Sequence, residues 1–388
     1  MNDKFQLIAD FIRTSFKSDT DFIALHEPKF NGNEIKYSND AIKSTFVSSV
    51  GKYVDEFEEE IAKYTGAAKA VACVNGTSAL HLALLLGGVE QGDEVITQDL
   101  TFIATTNAIN YCNAKPIFLD VDRNTFGLSP EALKNWLETN VTIIDENGLK
   151  QSVNKTTGVI VRACVPMHTF GHPCDMDSIM DICNEYGIKV IEDAAESMGS
   201  FYKGKHTGTF GLIGVVSFNG NKIITTGGGG ILLFNDAELA AKAKHLSTQA
   251  KVPHAWEYNH DQTAFNYRMP NINAAIGVAQ LEELNNFIAR KRKLSERYMD
   301  FFQSIDIDFV KEPVNSQSNY WLNAVLLKDK EERNNFLEFM NVQKIMTRPL
   351  WEPMHTLAMN KDAQCGDLIN SKYIAERLVN IPSSAIIL

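Results

Sequence analysis

The stretch Gly187-Ile-Lys-Val-Ile-Glu-Asp193 is a β-branched run that ends on two acids. Such a run predicts a buried parallel strand that carries its last carboxylate to the carboxyl edge of a sheet, where ligands collect. A second apolar run, Gly214-Val-Val-Ser-Phe218, ends shortly before Lys222. A carboxylate for a pyridinium nitrogen and an amine for a Schiff base are the groups that pyridoxal phosphate (PLP) requires. The spacing of Asp193 and Lys222 alone fits a strand-end acid beside a solvated lysine equally well.

The bulk composition narrows the class of protein. The chain has 388 residues, enough for two domains, because single cores stop growing near ~250–300 residues. Its net charge of −11 argues against a nucleic-acid or anionic-membrane partner, which needs clustered Lys and Arg, although a local cationic pocket fits a phosphorylated ligand. The six cysteines show no CxxC spacing, so no metal site is predicted, and free thiols suit a reducing cytosol.

The N-terminal segment predicts an amphipathic helix within residues 1–20. It lacks the apolar core and small-residue cleavage site of a signal peptide. No apolar run approaches the ~20 residues needed to cross a bilayer. We therefore expect a cytoplasmic protein with no membrane partner.

Helical patterns alternate with short apolar runs from about residue 54 to residue 235. The strand candidates lie at residues 70–74, 94–97, 116–121, 158–165, 190–193, 215–218 and 230–234. This alternation predicts an α/β fold with a mainly parallel sheet covered on both faces. A long helical pattern over residues 271–302 then leads to a strand at 320–327 and a helix at 330–340. We expect a large cofactor-binding domain over 21–260 and a smaller C-terminal α/β domain over 261–388, entered by the long helix.

The segment Asn75-Gly-Thr-Ser78 lies between a predicted strand and a predicted helix. Backbone N–H groups at a helix N-terminus, beside small residues, form an anion site. Ser217 can add a hydroxyl from a neighbouring strand end. Each feature alone has an ordinary explanation, a helix N-cap or a satisfied turn hydroxyl, but together with Asp193 and Lys222 they suit one phosphorylated cofactor.

Six blocks then carry a family resemblance through nearly the whole chain. They are Asn75-Gly-Thr-Ser-Ala-Leu-His-Leu-Ala-Leu84, Thr101-Phe-Ile-Ala-Thr-Thr-Asn107, Pro166-Met-His-Thr-Phe-Gly-His-Pro173 with Asp175-Met-Asp177, Glu192-Asp-Ala-Ala-Glu-Ser197, residues 217–230, and Asn266-Tyr-Arg-Met-Pro-Asn-Ile-Asn-Ala-Ala-Ile-Gly277. In this order they resemble the DegT/DnrJ family of sugar-nucleotide aminotransferases, which belong to the fold-type I (aspartate-aminotransferase-like) PLP enzymes. The resemblance implies PLP as the cofactor, with a nucleotide sugar and L-glutamate as substrates.

The resemblance implies a role for each matching residue. Lys222 matches the Schiff-base lysine, Asp193 the partner of the pyridine nitrogen and Phe102 the aromatic that stacks on the ring. The phosphate cradle is matched by Gly76, Thr77, Ser78 and Ser217. Asn266 matches an asparagine that reaches the phosphate from the other subunit, which implies a homodimer with its active sites at the interface.

Two positions depart from the common family pattern. Glu196 stands where His or Gln often lies near the cofactor O3′, so its detailed role is open. The context of Lys222, with Asn219-Gly-Asn221 before it, indicates a subgroup.

The flanks point to that subgroup. They are Leu25-His-Glu-Pro-Lys-Phe-Asn-Gly-Asn33, Ser44-Thr-Phe-Val-Ser-Ser-Val-Gly-Lys52, Arg348-Pro-Leu-Trp351 with His355, and Asn380-Ile-Pro-Ser-Ser384. They resemble enzymes that aminate C4 of a UDP-linked 4-keto-6-deoxy-N-acetylhexosamine in the legionaminic-acid and bacillosamine pathways of bacterial surface-glycan synthesis. The substrate-site candidates that follow are Ser48, Ser49, His168, Arg268, Trp351 and His355.

Several alternatives stay open at this point. His168 is also typical of a structural histidine, Trp351 of a core residue and Arg268 of an ion pair. The substrate could equally be a GDP- or dTDP-linked 3- or 4-ketosugar. A PLP-dependent sugar dehydratase of the same fold is disfavoured, because those enzymes carry His where this chain has Lys222. A PLP-binding regulator is disfavoured because no basic helix-turn-helix segment is present.

Overall fold

The computed structural model describes residues 2–146 and 148–387, so Met1 of the predicted N-terminal helix lies outside it. Its α-helices, in chain order, are α1 (Asn2–Phe16), α2 (Glu34–Lys43), α3 (Lys52–Thr65), α4 (Gly76–Leu86), α5 (Ile103–Tyr111), α6 (Pro130–Asn140), α7 (Met176–Tyr186), α8 (Ala237–Ser247), α9 (Asn271–Ser304), α10 (Lys330–Val342) and α11 (Ile369–Ala375).

Its strands, in chain order, are β1 (Lys69–Cys73), β2 (Glu94–Gln98), β3 (Lys115–Leu119), β4 (Val141–Glu146), β5 (Leu149–Asn154), β6 (Val161–Val165), β7 (Lys189–Asp193), β8 (Phe201–Tyr202), β9 (Lys205–His206), β10 (Ile213–Ser217), β11 (Gly230–Phe234), β12 (Asp308–Phe309), β13 (Ser316–Gln317), β14 (Asn323–Leu326), β15 (Arg348–Pro349), β16 (Gln364–Cys365) and β17 (Leu378–Ile381). Every predicted apolar run in residues 54–235 forms a strand.

The main sheet has eight strands in the order β1-β11-β10-β7-β6-β2-β3-β16. All neighbours pair in parallel except β11, which runs antiparallel to both β1 and β10. The α/β fold with a mainly parallel sheet is thus confirmed. The β10–β11 connection, residues 218–229, contains no helix, and without a crossover helix the chain returns antiparallel.

Local sequence signals explain the helix that follows β3. Ser129 accepts a hydrogen bond from the Ala132 N–H, and Pro130 occupies the first turn of α6. These two residues favour a helix start, because a serine N-cap satisfies a free N–H group and proline needs no partner at that position.

A second, four-stranded antiparallel sheet, β12-β14-β17-β15, lies in the C-terminal region. Helix α1 packs on this region, and its Phe5 meets Phe336 of α10 edge to face at 5.2 Å between ring centroids. Strand β14 is shorter than the predicted 320–327 strand, because Tyr320 has a φ of 47° and leaves the extended conformation. The short strand β16, which follows β15, joins the large sheet beside β3. The division of the chain near residue 260 stays a prediction.

Candidate active site

Asp193 and Ser217 mark the ends of two neighbouring parallel strands. In the β7–β10 pair, Val215 lies opposite Asp193. Ser217 therefore lies two residues further along β10 than the level of the acid. Lys222 follows in an irregular segment, and the backbone N–H of Lys222 donates to the Asn219 carbonyl at 3.0 Å. Asp193 and Lys222 therefore lie at the same sheet edge.

Asp193 is a buried carboxylate held by neutral donors. The Thr105 hydroxyl donates to Oδ2 at 2.7 Å, and the Ala195 N–H donates to Oδ1 at 3.1 Å. Burial raises the pKa of Asp193, although these two donors and the charge of Lys222 oppose the rise. A buried acid in this position is suited to a cationic ring N–H, which is the partner that bound PLP would offer.

Lys222 has two close neighbours for its amine. Its Nζ lies 3.3 Å from Glu196 Oε1 and 4.0 Å from the centroid of the Trp321 ring. The second oxygen of Glu196 accepts the Phe170 N–H at 2.9 Å. Burial raises the pKa of Glu196 to about 7, against the lowering effect of the Lys222 charge. This carboxylate can therefore exchange a proton near neutral pH.

The N-terminus of α4 forms a cradle beside Ser217. Asn75 caps the helix by accepting the Ser78 N–H at 2.8 Å, and the first-turn N–H groups of Gly76 and Thr77 point out of the helix end. A Cβ on Gly76 would lie 3.0 Å from Ser217 Cβ and 3.3 Å from its Oγ. Only glycine leaves this space open, and the donors around it suit a phosphate.

Aromatic side chains cover the same edge. Phe102 is half exposed at the start of α5, and its ring centroid lies 6.0 Å from that of Trp351. Trp351 also contacts Phe170, at 5.8 Å between centroids. The sequence prediction that Phe102 stacks on the cofactor is compatible with this exposed ring, and Trp351 is brought close to it.

His355 is held by a buried acid that the sequence reasoning missed. Asp99 Oδ1 accepts both the backbone N–H of His355, at 3.0 Å, and its ring Nδ1, at 2.9 Å. Asp99 is fully buried, and burial raises its pKa while the hydrogen bonds from His355 oppose the rise. The contact with this carboxylate fixes the orientation of the imidazole ring.

His168, a predicted substrate contact, is instead placed inside the protein. It is fully buried; its Nδ1 accepts the Cys174 N–H at 3.1 Å, and its Nε2 lies 3.0 Å from Glu192 Oε2. Glu192 also accepts the N–H groups of Gly208 and Gly211. Burial favours its neutral form, but His168 and these N–H donors outweigh burial and lower the pKa of Glu192. His168 thus supports β7 from within.

The remaining predicted site residues are Ser48, Ser49, Arg268 and Asn266. Ser48 is exposed, whereas Ser49 and Arg268 line a cavity of about 600 Å³ together with Lys244, Lys251 and His260. The Nε of Arg268 is buried and has no partner among the described residues, and the ion pair that the sequence left open as an alternative is not formed among them. Asn266 is exposed, and its role toward a second subunit stays a prediction.

The site gains three residues to which the sequence analysis gave no role: Thr105, which lies inside a quoted motif, and Asp99 and Trp321, which lie in none. Thr105 stands one turn into a helix, Asp99 follows β2, and Trp321 comes from the C-terminal region. The strand-end position of Asp99 is the one signal that could have identified it. Two absences complete the description of residues 2–146 and 148–387: no His, Cys, Asp and Glu cluster suits a metal, and no helix is long and apolar enough to span a membrane.

Comparison with known proteins agrees with this geometry. The model of the DegT/DnrJ/EryC1/StrS aminotransferase family matches residues 28–387. The chain is 39% identical over 362 residues to GDP-perosamine synthase of Escherichia coli O157:H7, and the match covers 93% of each protein. It is 39% identical over 335 residues to EpsN of Bacillus subtilis, which is provisionally named a PLP-dependent aminotransferase; 86% of this chain and 82% of EpsN are covered.

A solved structure gives the same result. The aminotransferase TlmJ of Streptoalloteichus hindustanus is 26% identical and superposes with a TM-score of 0.84 over 94% of both chains. The chain therefore belongs to the DegT/DnrJ/EryC1/StrS aminotransferase family and is a PLP-dependent sugar-nucleotide aminotransferase.

Proposed function

We propose that this protein transfers an amino group from L-glutamate to C4 of a nucleotide-linked 4-keto-6-deoxyhexose. The observation that carries the proposal is the Lys222 amine, which is largely buried and lies 3.3 Å from a carboxylate of raised pKa, at the sheet edge where Asp193 ends its strand. When bound, PLP supplies the carbonyl for amine exchange and the electron sink that makes the substrate α-proton removable.

The chain's own residues divide the work around that group. Asp193 offers a buried carboxylate to the ring nitrogen, and Thr105 keeps this carboxylate oriented by its 2.7 Å hydrogen bond. The Lys222 amine can take and return a proton at the reacting carbon, with Glu196 beside it as a proton acceptor or donor. The cradle of Gly76, Thr77, Ser78 and Ser217 would hold the phosphate, and Phe102 would cover the ring.

Two observations favour different nucleotides. Three relatives, 36–39% identical over 93–95% of this chain, are named GDP-perosamine synthases, whose name gives a GDP-linked amino sugar as the product. The flanking motifs of residues 25–33 and 44–52 favour a UDP-linked N-acetylhexosamine. We place the GDP-linked sugar first, because the likeness extends over almost the whole chain. Trp351 and His355, with the cavity at Ser49 and Arg268, are the proposed sugar-nucleotide contacts.

We further propose that the active form is a homodimer. Asn266 is exposed, and its backbone pairs with Thr248 beside the cavity of Arg268. From this position its side chain is available to a second copy, as the family resemblance implies. In mixed dimers, Asn266→Ala on one protomer should loosen the cofactor in the partner's site, whereas a fully active monomer would contradict the proposal.

Absorption spectra test the amino transfer. The PLP-loaded protein should show the protonated-imine band and should convert to the pyridoxamine spectrum with L-glutamate. Lys222→Ala should abolish that band, whereas Lys203→Ala, a change at an exposed lysine, should leave it intact. A normal spectrum and normal turnover in Lys222→Ala would refute the assignment of this lysine.

A substrate panel tests the acceptor. GDP-, UDP- and dTDP-linked 4-keto-6-deoxy sugars are each supplied with L-glutamate, and products are identified by mass spectrometry. A C4 amine on the GDP sugar is expected; a preference for the UDP-linked N-acetyl sugar would support the flanking motifs instead. A deoxygenated product without an amine would indicate the dehydratase.

A further inference from the structure

Trp321 reaches the active-site lysine from the C-terminal region. It lies two residues before β14, is 4% exposed, and presents its ring to Lys222 Nζ at 4.0 Å from the centroid. Its Nε1 donates to the carbonyl of Asn221 at 2.7 Å. One indole therefore contacts both the amine of Lys222 and the backbone of the residue before it.

The backbone around Trp321 is fixed on both sides. The Trp321 N–H donates to Asn319 Oδ1 at 2.8 Å, and the Trp321 carbonyl accepts Lys291 Nζ at 3.1 Å. The Asn319 amide group donates to the carbonyls of Glu196 and Met198, each at 2.9 Å. The same short segment thus anchors Trp321 and the main chain of Glu196, which are the two neighbours of the lysine amine.

Gly171 shows how closely this segment fits the large sheet. Its φ is +91°, and a Cβ there would lie 1.8 Å from Asn319 Oδ1. The turn of residues 169–171 therefore leaves room for the Asn319 side chain only because position 171 has none. The close contact between Asn319 and this turn therefore depends on the backbone conformation of Gly171.

We propose that Trp321 is a positioning residue for Lys222: its ring face holds the free amine beside Glu196, and its ring N–H fixes the backbone from which the lysine projects. The inference rests on the proposed function, because it takes Lys222 as the amine that exchanges with substrate. No sequence motif or family resemblance noted above includes Trp321.

The physical argument concerns the freedom of the lysine stem. A lysine ammonium on its four-carbon chain has many rotamers, and ordering it costs conformational entropy. A cation over an indole face is attracted by the negative ring face, more strongly where water is excluded. The ring thus limits the rotamers of Lys222. Without it, the amine would be more exposed and less often in reach of the reacting carbon.

Acetylation of the Lys222 amine measures this directly. The full-length protein, without cofactor and with pyridoxamine phosphate, is pulsed with acetic anhydride at pH 8, and the Lys222 peptide is quantified by mass spectrometry. Trp321→Leu should raise the labelling rate about two- to fivefold, because ring cover and cation–π attraction are lost. Trp321→Phe keeps a ring face and should stay within about twofold of the parent.

Trp136→Leu is the matched control, because Trp136 is similarly buried in α6 and belongs to a different core cluster. It should lower the melting temperature yet leave Lys222 labelling unchanged. Equal rises in Trp136→Leu and Trp321→Leu would mean that labelling reports general loosening and would overturn the proposal. So would an unchanged rate in a folded Trp321→Leu protein.

Fluorinated tryptophan covers the case in which Trp321→Leu does not fold. Incorporation of 5-fluorotryptophan weakens the negative ring face while nearly conserving its size, so labelling of Lys222 should rise in the parent but not in Trp321→Phe. No rise in the parent would refute a cation–π role. Labelling needs no turnover, so this result is independent of whether the sugar aminotransferase assay succeeds.

Discussion

Glu196 is a buried carboxylate whose pKa is raised by the fold. Its two oxygens meet the Phe170 N–H and the Lys222 amine, and its side chain is 1% exposed. Phe170 itself has a φ of 58°, a left-handed conformation that costs free energy in a non-glycine residue. The strained turn directs the Phe170 N–H at the Glu196 carboxylate. This indicates that the site requires Glu196 in this position despite the cost in backbone strain.

The raised pKa of Glu196 predicts a pH dependence of stability. A carboxyl whose pKa rises from 4.5 to about 7 on folding favours the folded state fully below the unfolded pKa, and this contribution is lost as the pH rises through 7. Glu196→Gln cannot ionise. Urea unfolding of the cofactor-free proteins at pH 5 and pH 8 should therefore show the variant gaining on the parent by at most about 3 kcal/mol at pH 8.

The control for this pH effect is Glu338→Gln, an exposed change on α10 that should follow the parent at both pH values. A stability difference between Glu196→Gln and the parent that is the same at pH 5 and pH 8 would mean that Glu196 titrates normally.

Sequence reasoning succeeds for residues whose chemistry and strand-end position coincide. Asp193 and Lys222 were found because a β-branched run ends on an acid and an apolar run precedes a lysine. Trp321 and Asp99 were missed, since each meets its partner across about a hundred residues or more of chain. His168 was expected near substrate, but its type does not reveal that both ring nitrogens face protein partners.

At the scale of elements, the N-terminus of α4 and the end of β10 must approach closely. Gly76→Ala would place a Cβ 3.0 Å from Ser217 Cβ, a contact that requires one of the two elements to shift. Since the cradle donors lie on these elements, the dissociation constant of PLP should rise about tenfold, equivalent to ~1.4 kcal/mol. Fluorescence titration of the apo-protein with PLP measures it.

Gly366→Ala is the matched control for this prediction. Its Cβ would meet Leu119 Cδ2 at 3.1 Å, a similar crowding at the edge strand β16, away from the cradle. It should bind PLP normally. Equal loss of PLP affinity in both variants would show that crowding anywhere in the sheet loosens the cofactor, and would remove the special role of Gly76.

The elements themselves were largely predictable because buried strands are continuous apolar runs and helices carry caps. The direction of β11 was not predicted, because direction depends on the connection rather than on the strand's own residues. Strand β16 escaped notice because two residues, Gln364 and Cys365, carry no periodic pattern. The β4–β5 hairpin was also missed, although β4 begins with the β-branched run Val-Thr-Ile-Ile.

At the scale of the whole molecule, the two ends of the chain meet behind the active site. The Ser383 N–H donates to the Leu25 carbonyl at 2.7 Å, and the Glu27 N–H donates to Ser384 Oγ at 2.9 Å. Lys291, in the long helix α9, donates to the carbonyls of Trp321 and Ser383. Two of the flanking motifs, residues 25–33 and 380–384, are therefore joined in space, which sequence order could not show.

Lys291 gives this region a measurable pH dependence. It is fully buried, its hydrogen-bond partners are neutral carbonyls, and burial lowers its pKa to about 7 from 10.5. Between these values the unfolded chain binds a proton that the folded chain does not, so this contribution to stability rises as the pH rises and is lost as the pH falls through 7. Lys291→Met conserves much of the volume and removes the titration.

Urea unfolding of the parent and Lys291→Met, at pH 7 and pH 9, tests the prediction. The parent should gain about 2–3 kcal/mol relative to the variant between these values, because two pH units lie within the shifted range. Lys293→Met, at an exposed position of the same helix, should show no such trend. If the difference between parent and Lys291→Met stayed constant from pH 7 to pH 9, Lys291 would hold its proton throughout. The Trp321 carbonyl would then be bound to a charged ammonium group of Lys291 at every physiological pH.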